Sequence, residues 1–166
     1  RAGVNTSKFT HSNLDYKLGS YFSVHLNFKA SHFYRVQFEI GYSNQGGKAS
    51  NHLNNDIKAE YLLFSPVNKF YLNNSGLHLM VFPSFEFDMD LSDFTLNEKN
   101  GVNSFDIALG TGIGYAFNSN LNIETRFKHG LIATDTPLFK DENSTEVSKF
   151  NIVFQLGVSY KFKIKD

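Results

Sequence analysis

The sequence predicts an all-β protein, an eight-stranded antiparallel up-and-down transmembrane β-barrel that forms a single domain over residues 1–166. Three observations predict this fold class. Apolar and polar residues alternate with a period of two along most of the chain, many of the alternating runs are long, and the connections between them are alternately long and short.

The alternation indicates strands because successive strand side chains point to opposite faces of a sheet. In FDIALGTGIGYAF, at 105–117, the odd positions are mostly large and apolar, whereas the even positions are mostly Gly or Ala. Runs of this kind, with a shorter first one, predict strands in order at residues 2–9, 21–28, 34–42, 57–72, 77–89, 105–117, 121–131 and 150–162. In the fourth run the alternation loses phase at Ser65 and Pro66, where we expect a bulge or a strand end.

The connections alternate strictly in length. The short ones are rich in polar turn residues and lie at residues 29–32, 73–76 and 118–120. The long ones are rich in Asn and Ser and lie at residues 10–16, 44–56, 91–104 and 133–148. In an up-and-down barrel this order places all long loops at one end, and the tight turns and both termini at the other.

The apolar face is predicted to meet lipid. The interior of an eight-stranded barrel is just wide enough for side chains to fill, so it accepts a strip of small residues at Gly110, Gly112 and Gly114 better than rows of Phe and Leu. Runs of about 11 to 14 residues also suit a tilted crossing of a bilayer, which takes about 9 to 11. The alternative is a soluble barrel whose apolar face points inward.

Charged residues are predicted to lie on the opposite, lumenal face, where opposite signs can pair. The members of this predicted network are Arg35, Glu39, Lys58, Glu60, Glu86, Asp88, Asp106, Glu124, Arg126 and Lys128. Such a lumen leaves little room for water, so the sequence does not favour a pore.

The composition excludes several functional classes. Lys and Arg together number 16, as do Asp and Glu, and no basic cluster suited to nucleic acid stands out. The absence of Cys excludes disulfides and thiolate metal sites, and no apolar run is long enough for a transmembrane helix. We expect no cofactor, no metal and no nucleic-acid partner.

Two motifs have features of binding sites. The spacing GxGxG at 110–114 is not the dinucleotide fingerprint and no helical pattern follows it, so we interpret it as lumenal packing. Glu86, Asp88 and Asp90, followed by Ser92 and Asp93, have the oxygen chemistry of a calcium site but lack the glycine and later glutamate of an EF-hand loop. We favour pairing of these carboxylates with Arg35, Arg126 or Lys128.

Three histidines are candidate catalytic bases. His11 beside Ser12, His52, and His129 are the candidates for a lipid-modifying site at the outer rim. A nucleophile needs a base within hydrogen-bond reach and a third group that orients the base, and the sequence indicates no such set. We therefore expect no enzymatic activity.

The chain resembles the PorT-like outer-membrane β-barrel proteins of Bacteroidetes along nearly its whole length. The resemblance is carried, in order, by AGVN (2–5), EIGYSNQGGK (39–48), SPVNKFYL (65–72), DIALGTGIGYAF (106–117), ETRFKHGL (124–131) and GVSYKF (157–162). It implies a Gram-negative outer-membrane location and a role in type IX secretion or assembly. One departure is that residues 163–166 follow Phe162, where family members tend to finish at the aromatic residue.

The function expected from these observations is that of a small non-catalytic barrel that is a component or partner of an outer-membrane machine. Its expected partners are outer-membrane lipid and other outer-membrane or periplasmic proteins, with the long loops extracellular and the termini periplasmic. A freestanding surface barrel that binds ligands through its long loops is the alternative, and a lipid-modifying enzyme is the least favoured.

Overall fold

The computed structural model describes residues 1–10, 12, 14–48, 57–72, 75–89, 105–133 and 148–162. It contains eight strands, which are β1 Ala2–Phe9, β2 Asp15–Lys29, β3 Tyr34–Lys48, β4 Ile57–Tyr71, β5 Leu77–Asp88, β6 Phe105–Ala116, β7 Leu121–Gly130 and β8 Asn151–Tyr160. No helix capable of crossing a membrane occurs within these described stretches.

The strands form a closed barrel in which each pairs antiparallel with its neighbours in the chain. Pairing of β1 with β8, from Ala2 opposite Val158 to Phe9 opposite Asn151, closes the sheet. The predicted eight-stranded up-and-down barrel is thereby confirmed. Closure satisfies backbone groups that the edges of an open sheet would leave unpaired, which a lipid environment requires.

The fourth strand runs without the predicted break. Pairs between β4 and β5 keep the same register on both sides of a short gap, from Phe64 opposite Phe85 to Asn68 opposite Val81. At this register Pro66 of β4 faces Pro83 of β5. Neither proline has an N–H to donate, so the ladder is interrupted although the strand continues. The expected bulge or strand end at Ser65 and Pro66 was therefore wrong.

A register shift occurs instead between β2 and β3. Tyr16 lies opposite Gly47, whereas Tyr21 lies opposite Ser43, so β2 has one more residue than β3 between these pairs. Gly46 lies on β3 within this interval and has a φ of 131°, which residues with a Cβ rarely adopt. Its N–H and C=O both hydrogen-bond to Ser7 Oγ at about 3 Å, which ties the bulge to β1.

Candidate functional site

The outer surface of the barrel is apolar. Val24 is 74% exposed and Leu18 is 71% exposed, and large hydrophobic side chains stand on the outer face of all eight strands. Soluble monomers rarely expose a continuous apolar patch larger than a few hundred Å². The surface is therefore suited to a lipid environment rather than to water.

Aromatic side chains crowd the outer surface near the short-turn end of the barrel. Phe28, Phe70, Tyr115, Phe117 and Tyr160 are all exposed there. Tyr34 stacks on Phe70 with ring centroids 5.3 Å apart, and Tyr160 packs edge-on against Phe162. Aromatic girdles of this kind mark the membrane interfaces of transmembrane barrels.

The lumen is polar, and Arg126 forms two of its ion pairs. Arg126 is 2% exposed and donates from one guanidinium nitrogen to Glu39 at 2.9 Å and from the other to Glu124 at 2.8 Å. This side chain therefore joins a carboxylate from β3 to one from β7 across the lumen. A buried charge is tolerated when it is paired in this way.

Each of the two central carboxylates has further partners. Glu39 accepts hydrogen bonds from Arg1 at 2.7 Å, from Ser23 at 2.8 Å and from Gln37 at 3.0 Å. Glu124 also accepts a hydrogen bond from the fully buried Lys69. We call Arg1, Glu39, Lys69, Glu124 and Arg126 the central ion cluster.

A second ion pair lies closer to the long-loop end. Lys128 donates to Glu86, which also accepts from Ser84 at 2.9 Å and from Gln45 at 3.0 Å. Gln45 in turn accepts from Asn151 at 2.6 Å. Hydrogen bonds thus link β3, β5, β7 and β8 across this part of the lumen.

The glycine strip of β6 makes room for large neighbours on both sides. Gly110 lies opposite Phe82 of β5 and Lys128 of β7, while Gly112 lies opposite Met80 and Arg126. A Cβ added at Gly110 would approach Phe82 Cε2 to 2.3 Å, and one added at Gly112 would approach the Thr125 carbonyl oxygen to 2.4 Å. A larger residue at Gly110 or Gly112 would therefore clash with the neighbouring strands.

Little open space remains in the lumen. Val67, Met80 and Phe82 form an apolar cluster that is at most 1% exposed. A cavity next to Arg126, lined also by Ser65 and Ser84, has room for about one water molecule. This packing favours a filled barrel over a wide water-filled channel.

The structure places most residues of the predicted charge network in the lumen but moves two of them outside. The lumenal members are Arg35, Glu39, Glu86, Asp88, Asp106, Glu124, Arg126 and Lys128. Lys58 and Glu60 are exposed, and Asn44 donates to Glu60 at 3.5 Å on the outer surface. The lumenal expectation for these two was wrong because β4 directs Ala59, Tyr61 and the alternate residues after them inward.

Sequence reasoning missed three lumenal groups, namely Arg1, Lys69 and His78. His78 Nε2 lies 3.6 Å from Glu124 Oε1 and its Nδ1 lies 3.0 Å from the Gly76 carbonyl oxygen. Alternation along β4 places Lys69 on the same face as Ser65 and Val67, opposite to Glu60. It does not tell which of the two faces is lumenal, because both contain apolar residues.

The acidic run beginning at Glu86 is described only in part. Glu86 pairs with Lys128, as the favoured interpretation expected for one of its carboxylates, while Arg35 instead lies over the Tyr71 ring. Asp90, Ser92 and Asp93 lie outside the described residues. Among the residues that are described, no group of three or more His, Asp or Glu side chains could hold a metal ion.

The candidate histidines do not come together with a nucleophile in the described part of the chain. His129 faces outward and packs against Phe150, with ring centroids 5.7 Å apart. Ser12 donates to the Phe9 carbonyl oxygen at 2.7 Å. His11 and His52 lie outside the described residues.

Comparison with known proteins agrees with this architecture. Residues 1–136 match a family model described as an outer membrane protein beta-barrel domain. No protein among those with curated functions matches the chain. The matched region includes β1 to β7, and therefore the glycine strip and every member of the central ion cluster.

Proposed function

Because the chain belongs to the outer membrane protein beta-barrel domain family, we propose that it is a non-catalytic component or partner of an outer-membrane machine. The observation that supports this proposal most is the filled lumen, in which Arg126 joins Glu39 to Glu124. A barrel with little room for transport acts more readily through its loops, its turns and its outer surface.

More specifically, we propose a role in type IX secretion or assembly, which is the role implied by the resemblance of the sequence to PorT-like proteins. The experiment that tests the machine role is gentle detergent extraction from the native outer membrane, followed by measurement of native mass and identification of co-purifying proteins. A reproducible large complex containing secretion or assembly proteins is expected. A monomer of barrel size with no partner would contradict the proposal.

A second candidate is a freestanding surface barrel that binds ligands through its long loops. It is favoured by the placement of all four long connections at one end of the barrel. Charge reversal in these loops would abolish ligand binding in that case, but would leave a complex held through the short turns or the outer surface intact.

We propose that the long-loop end faces the cell exterior and that the short turns face the periplasm. The chain has no Cys, so single cysteines report orientation cleanly. A membrane-impermeant maleimide applied to intact cells is expected to label Ser144→Cys, in a long connection, and to leave Ser31→Cys unlabelled. The reverse pattern would overturn this orientation.

A further inference from the structure

Positive charge collects at the short-turn end of the lumen. Arg35 of β3 lies directly opposite Lys29 of β2 on one side and Lys69 of β4 on the other. Like charges placed directly opposite on neighbouring strands are destabilising. Lys69 is neutralised by Glu124, which leaves the Arg35 charge to be balanced by another group.

Lys161 adds another cation to this region. It follows β8 in the alternation that directs Ser159 inward, and its main chain is bonded twice to Asn120, by its N–H at 2.8 Å and by its carbonyl oxygen at 2.6 Å. Burial, together with the nearby charges of Lys69 and Arg35, lowers the pKa of Lys161 to about 8. Arg35 and Lys161 thus both follow the inward phase of their strands at the same end of one closed barrel.

The described residues provide no carboxylate partner for either cation. Residues 28–36, 68–78 and 115–123, which form the short turns and the adjoining strand ends, contain neither Asp nor Glu. Glu124, whose charge also reaches Lys161, is already bound by Lys69 and Arg126. Of the remaining acidic residues, Asp166 lies outside the described residues, and the others belong in the sequence to strand segments farther from this end or to the long connections.

Arg35 is held in place but keeps donor capacity. Its guanidinium lies over the Tyr71 ring, 4.3 Å from the ring centroid, and Tyr71 itself stacks on His78 with centroids 4.7 Å apart. Its buried Nε has no hydrogen-bond partner among the described residues. In contrast, Arg126 and Lys128 each form ion pairs with lumenal carboxylates.

We propose that the short-turn mouth of the lumen is a binding site for a phosphate group, held by Arg35 and Lys161. Two cations with no carboxylate partner among the described residues favour an anionic ligand, and the planar guanidinium fork of Arg matches phosphate oxygens. Inorganic phosphate and the head group of an anionic phospholipid share this chemistry. The site does not depend on the proposed role in an outer-membrane machine.

Isothermal titration calorimetry tests the site on the full chain, folded in a non-ionic detergent that contains no phosphate. The two titrants are inorganic phosphate and a short-chain phosphatidylglycerol, each with chloride at matched ionic strength as the reference. We expect saturable binding of at least one titrant, weakened at least tenfold in Arg35→Gln and in Lys161→Gln. The titrant that binds identifies the source of the phosphate.

Lys58→Gln is the matched control, because it removes an exposed cation near the opposite end of the barrel. It is expected to bind like the wild type. Folding of each variant is checked by gel mobility before boiling, and Lys161→Gln carries the test if Arg35→Gln does not fold. The proposal is overturned if neither titrant binds the wild type, or if the short-turn variants and Lys58→Gln all bind equally.

Discussion

Gly110→Leu should destabilise the barrel by overfilling its lumen. The Cβ alone would lie 2.3 Å from Phe82 Cε2, whereas carbon atoms in favourable contact lie about 3.5–4.0 Å apart, so the ring would have to move by more than about 1 Å. Phe82 is 1% exposed and packs with Val67 and Met80, which restricts that movement. Overpacking of this kind costs about 1–3 kcal/mol.

We expect a loss near the upper end of that range, about 2–3 kcal/mol, which lowers the ratio of folded to unfolded protein roughly 30- to 150-fold. The assay is urea unfolding in lipid vesicles, with the folded fraction read from the gel mobility of unboiled samples. Val81→Leu is the matched control, because Val81 precedes Phe82 on β5 and faces outward, where it is 47% exposed. It should unfold within about 0.5 kcal/mol of the wild type.

A double variant identifies the cause of the effect. Phe82→Ala alone should cost about 3–5 kcal/mol because it leaves a cavity. Combined with Phe82→Ala, Gly110→Leu should cost at least about 1 kcal/mol less than it does alone, because the leucine enters the vacated space. A Gly110→Leu barrel with wild-type yield and midpoint, or two substitutions whose costs simply add, would refute the facing of β6 and its packing against β5.

The remaining predictions concern charge. Lys128→Met should cost about 3–5 kcal/mol in the same assay because it leaves Glu86 buried with two neutral donors in place of its ion pair. Arg126→Met should cost less because Glu39 keeps Arg1 and Glu124 keeps Lys69; equal costs would contradict this ranking. Lys58→Ala should change the unfolding free energy by no more than about 0.5 kcal/mol because Lys58 is exposed. A loss as large as that of Lys128→Met would indicate that Lys58 faces the lumen. Burial and the charges of Lys69 and Arg35 lower the folded-state pKa of Lys161 to about 8, below its ordinary value of 10.5. Between these two pH values the unfolded chain binds more protons than the folded chain. The contribution of Lys161 to the free energy of unfolding should therefore rise from about pH 8 to about pH 10.5 when no phosphate is present. The difference between wild type and Lys161→Met should follow that rise, and a difference that is constant with pH would contradict it.

The alternation in the sequence predicted the facing of most strands because it follows from strand geometry alone. In β6 and β7, small, charged or amide residues occupy every inward position, so the inward face is recognisable without tertiary information. The glycines of β6 are also explained by their neighbours, since each stands between two large lumenal side chains. Local pattern and three-dimensional packing agree in this part of the barrel.

The fourth strand could not be assigned in the same way because both of its faces contain apolar residues. Tyr61, Leu63 and Val67 point into the lumen and help to fill it, while Leu62 and Phe64 point outward. Composition does not distinguish two apolar faces of one strand; the register with β3 and β5 does. The same ambiguity hid Lys69, whose partner Glu124 is 55 residues away in the chain.

The sequence alone also could not predict which carboxylates pair with Arg126. Alternation indicates that Arg126 and Glu39 both face inward, but their contact depends on the width and closure of the barrel. Pairing of β1 with β8 brings β3 and β7 to opposite sides of one narrow lumen. Long side chains can meet only because the barrel has this few strands.

The claim that the apolar face meets lipid is tested most directly by fluorescence quenching with brominated phospholipids. The chain has no Trp, so a single introduced Trp reports one position. Tryptophan at Val24, Ile40, Leu109 or Leu156, on four different strands, should be strongly quenched, whereas tryptophan at Ser31 in a short turn should not. Absence of quenching at all four strand positions, in a protein that stays monomeric and folded without lipid or detergent, would contradict the account.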